Sequence, residues 1–363
     1  MNTPPGIGVI GCGNISSVYL ENLKSFRKVR LVACADLITE RARAQAEAFG
    51  IPQAITPEAL LSHSDVDVVL NLTTPEAHAA VGLAALEAGK HLYNEKPLAA
   101  GLDDARKILA EAKSRKLQVG CAPDTFLGSG LATCRKLIDD GLIGDPVAGC
   151  AFFTSPGHES WHPDPTFYYK PGGGPLLDMG PYYLTALVAL LGPVERVTGC
   201  TRKSFPTRTI TSQPRHGDKI QVDVATHETA LLEFAGGPVV SVIMSFDVQA
   251  THLPMLEIYG SRGSLAPGDP NTFGGPIEVY QRSAGAWRSH DLLPGYSHNS
   301  RGIGVAEMAE ALAEGRPHRA SGDMALHVLE VMHSIHQAAA SNRHMLLLTA
   351  CNRPDPLPEG WSA

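Results

Sequence analysis

Gly11, Gly13 and Asp36 are spaced to hold a dinucleotide. The apolar run Gly6-Ile7-Gly8-Val9-Ile10 enters the turn Gly11-Cys12-Gly13-Asn14-Ile15-Ser16. A helix-like segment follows, and Leu31-Val32-Ala33-Cys34-Ala35 ends on Asp36. In such a βαβ unit the first glycine permits the tight turn and the second lets the backbone approach a pyrophosphate. The helix start, with Asn14 and Ile15, offers free N–H groups to the phosphate oxygens. Asp36 lies where a carboxylate accepts hydrogen bonds from an adenosine ribose, and its charge would repel a 2′-phosphate. The pattern therefore reads as NAD rather than NADP, although Arg41 and Arg43 follow closely. Ser16 stands at the third glycine position and is small enough for close helix–strand packing.

A second set of residues could move a proton. Lys96 stands between Glu95 and Pro97, and Asp178 and Tyr182 are four residues apart, so on one helix they share a face. A phenol beside an ammonium can act as base or acid, because a nearby positive charge favours the phenolate. A lysine could also shuttle the proton itself if burial lowered its pKa. Each residue has a plainer reading. Tyr182 could be a core aromatic with a satisfied hydroxyl, Asp178 a carboxylate on a helix N-terminus, and Lys96 a solvated loop lysine.

The elements that must position these groups follow from periodicity. Helical segments at 41–49, 57–63, 78–87 and 103–116 alternate with apolar runs at 66–72, 91–93 and 118–121. That alternation predicts a doubly wound parallel sheet, with ligands beyond the C-terminal strand ends, where loops 11–16, 73–78 and 95–97 converge. Beyond a helix at 131–140 the texture changes. Longer strand-like segments at 147–154, 195–200, 224–234, 239–247, 254–259 and 277–281 surround one central helix, 176–191, and helices at 305–314 and 324–341 follow. Residues 235–238 read as a hairpin and 204–218 as a polar loop. The expected architecture is α/β: a Rossmann domain over 1–122, then over 123–363 an α+β domain with a broad, mainly antiparallel open sheet and helices on one face. The C-terminal helices are free to pack back on the first domain.

Composition bounds the partners. A chain of 363 residues with 44% hydrophobic and 18% charged residues supports two domains with substantial interiors. The net charge of −7 is scattered and no basic stripe suits nucleic acid. No signal peptide or membrane span is expected. Seven widely spaced cysteines without a C-x-x-C argue for reduced thiols in a cytoplasm, not a disulfide framework or zinc site. Strand 239–246, apolar on both sides, is expected to bury one face against another subunit, making a homo-oligomer.

Three features coincide: the nucleotide unit, Glu95-Lys96-Pro97 after the fifth strand, and Gly172-Gly173-Gly174-Pro175-Leu176-Leu177-Asp178-Met179-Gly180-Pro181-Tyr182. With them the whole chain resembles the glucose–fructose oxidoreductase / inositol dehydrogenase / MocA (Gfo/Idh/MocA) family. The resemblance implies a Rossmann domain followed by an open-sheet domain, and oxidation or reduction of a sugar, polyol or related ring with NAD or NADP. It implies that Lys96 contacts substrate and nicotinamide ribose, and that the Asp178/Tyr182 helix supplies the remaining polar groups. Many members carry histidine where this chain has Tyr182 and others carry tyrosine, so the substrate cannot be copied from the histidine-bearing enzymes.

On this reading Lys96 and Tyr182 handle the proton and Asp178 orients the ring. Thr73, Thr74 and Pro75 line the path from adenosine to nicotinamide, with His78 starting the next helix and Glu95 beside the cofactor; Thr74 also reads as an N-cap. Glycines 172–174 would let substrate approach the helix start. Trp161 offers an apolar plate for a sugar ring, and His162 a polar tip. Tyr169 and Asp124 are expected to reach substrate. Tyr168, Lys170, His227, Asp247, His298 and Arg301 are further candidates. His158 and His162 have metal-ligand spacing, but Pro163 and the loop around it argue against a helix, and no metal is expected. The substrate is expected to be a small carbohydrate or cyclitol. One alternative is a redox-neutral glycosidase that oxidises C3, eliminates the aglycone, adds water and returns the hydride. Another is a non-catalytic NAD-binding regulator.

Overall fold

The computed structural model describes residues 3–363. The first lobe runs β1 (Gly6–Ile10), α1 (Ser16–Ser25), β2 (Arg30–Ala35), α2 (Thr39–Phe49), β3 (Gln53–Ile55), α3 (Pro57–Leu61), β4 (Val68–Asn71), α4 (His78–Glu87), β5 (His91–Asn94), α5 (Leu102–Arg115) and β6 (Val119–Cys121). Its six strands are all parallel, in the order β3-β2-β1-β4-β5-β6. Strands β1 and β4 are buried at every residue, as continuous apolar runs sandwiched between helices must be. The order reverses at β1/β4, so the crevice beyond those strand ends lies beside the Gly11 turn.

The second lobe runs α6 (Ser129–Asp139), β7 (Pro146–Thr154), α7 (Pro175–Leu191), β8 (Val194–Arg202), β9 (Thr207–Thr209), β10 (Lys219–Gln221), β11 (His227–Phe234), β12 (Val239–Ser245), β13 (Leu256–Gly260), β14 (Gly263–Ala266), β15 (Ile277–Gln281), β16 (Ala286–His290), α8 (Ile303–Glu314), α9 (Gly322–Ser341) and β17 (Met345–Leu346). Nine of these strands form one sheet, β16-β15-β14-β13-β7-β12-β11-β8-β17, antiparallel except for the β12/β7 pair. Alternation on β12 buries Val240, Val242 and Met244 toward helix α7, while α9 packs on β8 of the same sheet. Helices α8 and α9 also pack against the first sheet at β6, joining the lobes through one continuous apolar core.

The 204–218 stretch, expected as a polar loop, holds β9, which pairs with β10 in a small hairpin; Ile210, Ile220 and Val222 seal it against Tyr169 and Phe246. Strands β14 and β16 were invisible in the sequence because β14 is only four residues long and β16 is exposed throughout. No helix among the described residues is long and apolar enough to cross a membrane.

Candidate active site

The turn between β1 and α1 has the geometry a dinucleotide requires. Gly11 takes φ +102°, and a Cβ there would lie 2.6 Å from the Leu72 carbonyl carbon. A Cβ on Gly13 would meet nothing within 4 Å, so its backbone faces open space. No side chain caps α1, and the N–H groups of Asn14 and Ile15, just before its first residue, are available to a ligand. Ser16 is fully buried and its hydroxyl donates to the Gly13 carbonyl (2.6 Å), closing the turn. Asp36 is fixed by two amides, Cys12 N–H to Oδ2 and Ile38 N–H to Oδ1, each 2.8 Å. These features fit the expected cofactor.

Asn71 and Asn94, which sequence reading missed, join the ends of β4 and β5 through a buried amide–amide bond of 3.1 Å. The Thr73 hydroxyl donates to Asn71 Oδ1 (2.7 Å), holding the 73–75 turn at the crevice. Thr74 makes no side-chain cap. His78, expected at the cofactor, is turned inward: it is 1% exposed, with Nδ1 2.6 Å from the Pro97 carbonyl and Nε2 3.1 Å from the Thr73 carbonyl. Burial lowers its pKa despite those carbonyls. It braces two cofactor-side loops and touches neither solvent nor cleft.

Lys96 is the second residue after β5. The buried Glu95 accepts the Tyr19 hydroxyl (2.8 Å) and the Lys96 N–H (2.7 Å), so the carboxylate anchors the loop. Lys96 Nζ reaches across to α7, donating to the Asp178 carbonyl (2.5 Å) and Oδ1 (3.0 Å), and lies 5.2 Å from the Tyr182 ring centroid. Burial opposes its charge, but Asp178, Tyr182 and Glu95 outweigh burial and hold the ammonium above its ordinary pKa. Lys96 is therefore a fixed cation. Asp178 and Tyr182 share one face of α7, whose first turn is tied down by the buried Glu228, accepting Leu176 N–H at 2.8 Å.

Tyr182 is buried, which raises its phenol pKa; Lys96 and Arg301 pull it back down, and Glu95 pushes it up. The Arg301 guanidinium lies 6.0 Å from the Tyr182 ring, with Nη2 donating to Asn271 Oδ1 (2.6 Å) and Nη1 to Asn299 Oδ1 (2.8 Å). Of the further candidates, Arg301 alone approaches Tyr182 in this way. Asp247 is held in the Arg208 ion pair, and His227 and His298 are not among the cleft's lining residues.

Lys96, Asp178, Tyr182, Trp161, Tyr168, His158 and Asn271 line one cavity of about 430 Å³. His158 Nε2 lies 3.7 Å from Asp178 Oδ2, too long for a hydrogen bond. Burial lowers its pKa to about 4 although Asp178 favours the charge, so the imidazole is neutral near pH 7. Among the described residues no three His, Cys, Asp or Glu side chains gather as metal ligands.

Three substrate expectations are corrected. Asp124 is 1% exposed and accepts Gly302 N–H (2.8 Å) and Gly304 N–H (3.0 Å) at the start of α8; it anchors the segment that carries Arg301 and does not reach the cleft. Tyr169 is fully buried, its hydroxyl donating to Glu159 (2.8 Å), whereas Tyr168 faces the cavity. These two residues lie in a tight 3-10 turn, where neighbours point to different sides. His162 stands at the rim, its Nδ1 accepting Asp164 N–H (3.1 Å), and the ring nearer Asp178 is His158. The glycines before α7 also serve differently. A Cβ on Gly173 would strike the Phe167 carbonyl oxygen at 2.5 Å, so this residue lets the turn pack against the 166–169 backbone.

Comparison with known proteins identifies the family. A family described as oxidoreductase, NAD-binding Rossmann fold, matches residues 6–122, and the GFO/IDH/MocA C-terminal domain matches 131–266. The chain is 32% identical to dTDP-3,4-didehydro-2,6-dideoxy-alpha-D-glucose 3-reductase of Streptomyces violaceoruber, over 92% of this chain and 95% of that one. It is 26% identical to myo-inositol 2-dehydrogenase of Thermotoga maritima, over 71% of this chain and 74% of that one. The solved structure of levoglucosan dehydrogenase with NADH and levoglucosan aligns with 95% of this chain and 100% of its own at a TM-score of 0.81. At 20% identity that likeness speaks for the fold alone. Matched in both lobes and along nearly its full length, the chain belongs to the GFO/IDH/MocA family of oxidoreductases.

Proposed function

We propose that this oxidoreductase moves a hydride between a ring carbon of a sugar, glycoside or cyclitol and NAD, with Tyr182 as the proton-transfer group. The observation that carries this reading is the Lys96–Asp178 clasp beside Tyr182, formed where the nucleotide lobe meets α7. The names of the relatives, a keto-sugar reductase and an inositol dehydrogenase, support the substrate class.

When bound, the nicotinamide supplies or accepts the hydride. Every other task falls to the chain. The raised phenol of Tyr182 keeps its proton near pH 7, so in the reductive direction it donates that proton to the carbonyl oxygen. Lys96 and Arg301 then stabilise the phenolate until solvent restores the proton. Lys96 stays charged throughout and polarises the same oxygen, while Asp178 accepts from a neighbouring ring hydroxyl. Asp36, held by two amides, favours the unphosphorylated ribose of NAD. Assembly into a homo-oligomer, dimer or tetramer, is supported by Phe152, Leu231, Val239 and Ile243, which share the open face of the second sheet by register; Leu231 and Val239 are 46% and 42% exposed.

The test is a panel of sugars, cyclitols and glycosides incubated with NAD, following NADH and product together. NADH formation with at least one ring compound, lost in Lys96→Ala, is expected. Glycoside cleavage without NADH accumulation would mark the redox-neutral glycosidase cycle instead. No turnover of any compound would contradict both.

A further inference from the structure

Beyond Asp178 the cleft opens onto a wall of aromatic rings that the proton chemistry does not use. The His158 ring lies flat on Tyr168, with centroids 3.6 Å apart and planes 12° from parallel. Phe167 packs on Tyr168 at 4.0 Å, and Trp161 stands 5.3 Å from His158. His162 bridges the two ends, 5.3 Å from Trp161 and 5.4 Å from Phe167. The wall is rigid from behind. Gly173 packs on the Phe167 and Tyr168 carbonyls, and Tyr169 is bonded to Glu159, which is itself paired with Arg208 at 3.2 Å.

Its outer rings are left in water. Trp161 is 62% exposed and Phe167 is 55% exposed, beside a cavity that Trp161 and Tyr168 share with Lys96, Asp178 and Tyr182. Large apolar rings held rigidly in solvent at the mouth of a cleft mark a surface that a ligand covers.

Charge and hydrogen bonding narrow that ligand. The cations around the rim are already matched: Lys170 with Asp223, Arg215 with Asp164 and Asp218, Arg208 with Glu159 and Asp247. None of these three is free to hold a phosphate. His162 Nδ1 accepts an amide proton, so the His162 ring edge, the Trp161 indole N–H and the Tyr168 hydroxyl are the few polar points on a surface made otherwise of ring faces. A second sugar ring would bury several hydroxyls there without partners. A flat, uncharged ring would not.

We propose that this wall is a second subsite, continuous with the reaction cleft, that takes an uncharged planar group attached to the ring being oxidised: the aromatic aglycone of a glycoside. The inference rests on the reading of the cleft as a ring-hydroxyl oxidoreductase site, and deepens it.

The experiment is calorimetry on the NADH-loaded protein with phenyl and methyl glycosides of glucose, galactose and mannose in both anomers, and with dTDP-glucose. At least one phenyl glycoside is expected to bind about tenfold tighter than its methyl counterpart, as ring stacking on two or three aromatic partners implies. Trp161→Ala and Phe167→Leu should each bring that ratio down several-fold. Equal affinities, an aryl preference that survives both substitutions, no glycoside binding at all, or dTDP-glucose binding tighter than every phenyl glycoside would each overturn the proposal. Turnover of the same compounds with NAD is read separately: tight aryl binding with no turnover would sink the underlying assignment, not the subsite.

Discussion

At the scale of single residues, the site places one phenol within reach of two cations. Burial raises the Tyr182 pKa, and Lys96 and Arg301 oppose that rise. The sign of the pH dependence follows. Reduction needs the protonated phenol and should hold its rate through neutral pH. Oxidation needs the phenolate, so its rate should keep climbing through the alkaline range and beyond the ordinary phenol pKa. Arg301→Gln removes one of the two cations and should move the alkaline limb to still higher pH, read from the profile of kcat in the oxidative direction. A flat profile in both directions would remove Tyr182 from the proton path. His158, held neutral by burial with its pKa near 4, should contribute no ionisation between pH 5 and 8.

At the scale of elements, two predictions separate holding the fold from holding a ligand. Gly11 is strained for any other residue and packed on the Leu72 carbonyl, whereas Gly13 faces open space. Gly11→Ala should therefore lower Tm markedly, while Gly13→Val should leave Tm of the cofactor-free protein nearly unchanged and weaken NADH binding at least tenfold, measured by fluorescence titration. Asp124 clamps the start of α8, and burial raises its pKa to about 6 despite the two amides it accepts. A folded pKa above the unfolded one gives stability that is full below about pH 4 and lost as pH rises through 6. The shift corresponds to about 3 kcal/mol. Asp124→Asn keeps an acceptor for Gly302 and Gly304, so chemical denaturation should show a smaller loss of stability from pH 4 to 7 than the parent shows. Arg208 compensates two carboxylates, buried Glu159 and partly buried Asp247. Arg208→Met should cost about 3–5 kcal/mol by leaving them unpaired and should loosen the aromatic wall.

At the scale of the whole molecule, the proposed reaction cleft lies at the seam between two sheets. Loops after β1, β4 and β5 supply the nucleotide side, and α7 with the 157–168 segment supplies the other. That division was readable in the amino-acid sequence where function acts through regular elements. The Gly11 turn, Asp36 and Lys96 lie at strand ends, and Asp178 and Tyr182 share a helix by spacing alone. It failed in loops, which have no period: nothing local says that Tyr168 and not Tyr169 faces the cavity, or that His158 and not His162 approaches Asp178. Asp124 and Arg208 were misread or missed because their partners, Gly302 and Glu159, lie 178 and 49 residues away in the chain. Saturating NADH should raise Tm by binding only the folded state, by about 2.7 kcal/mol of stability at a hundredfold excess over Kd. The measurement that bears most directly on the central claim is isotope transfer from deuterated NADH to a keto-sugar, by the parent protein and by Tyr182→Phe. Label on a ring carbon, formed at least a hundredfold more slowly by Tyr182→Phe at unchanged NADH affinity, is the expected result. Equal transfer by both proteins, or label outside the ring, would contradict the account.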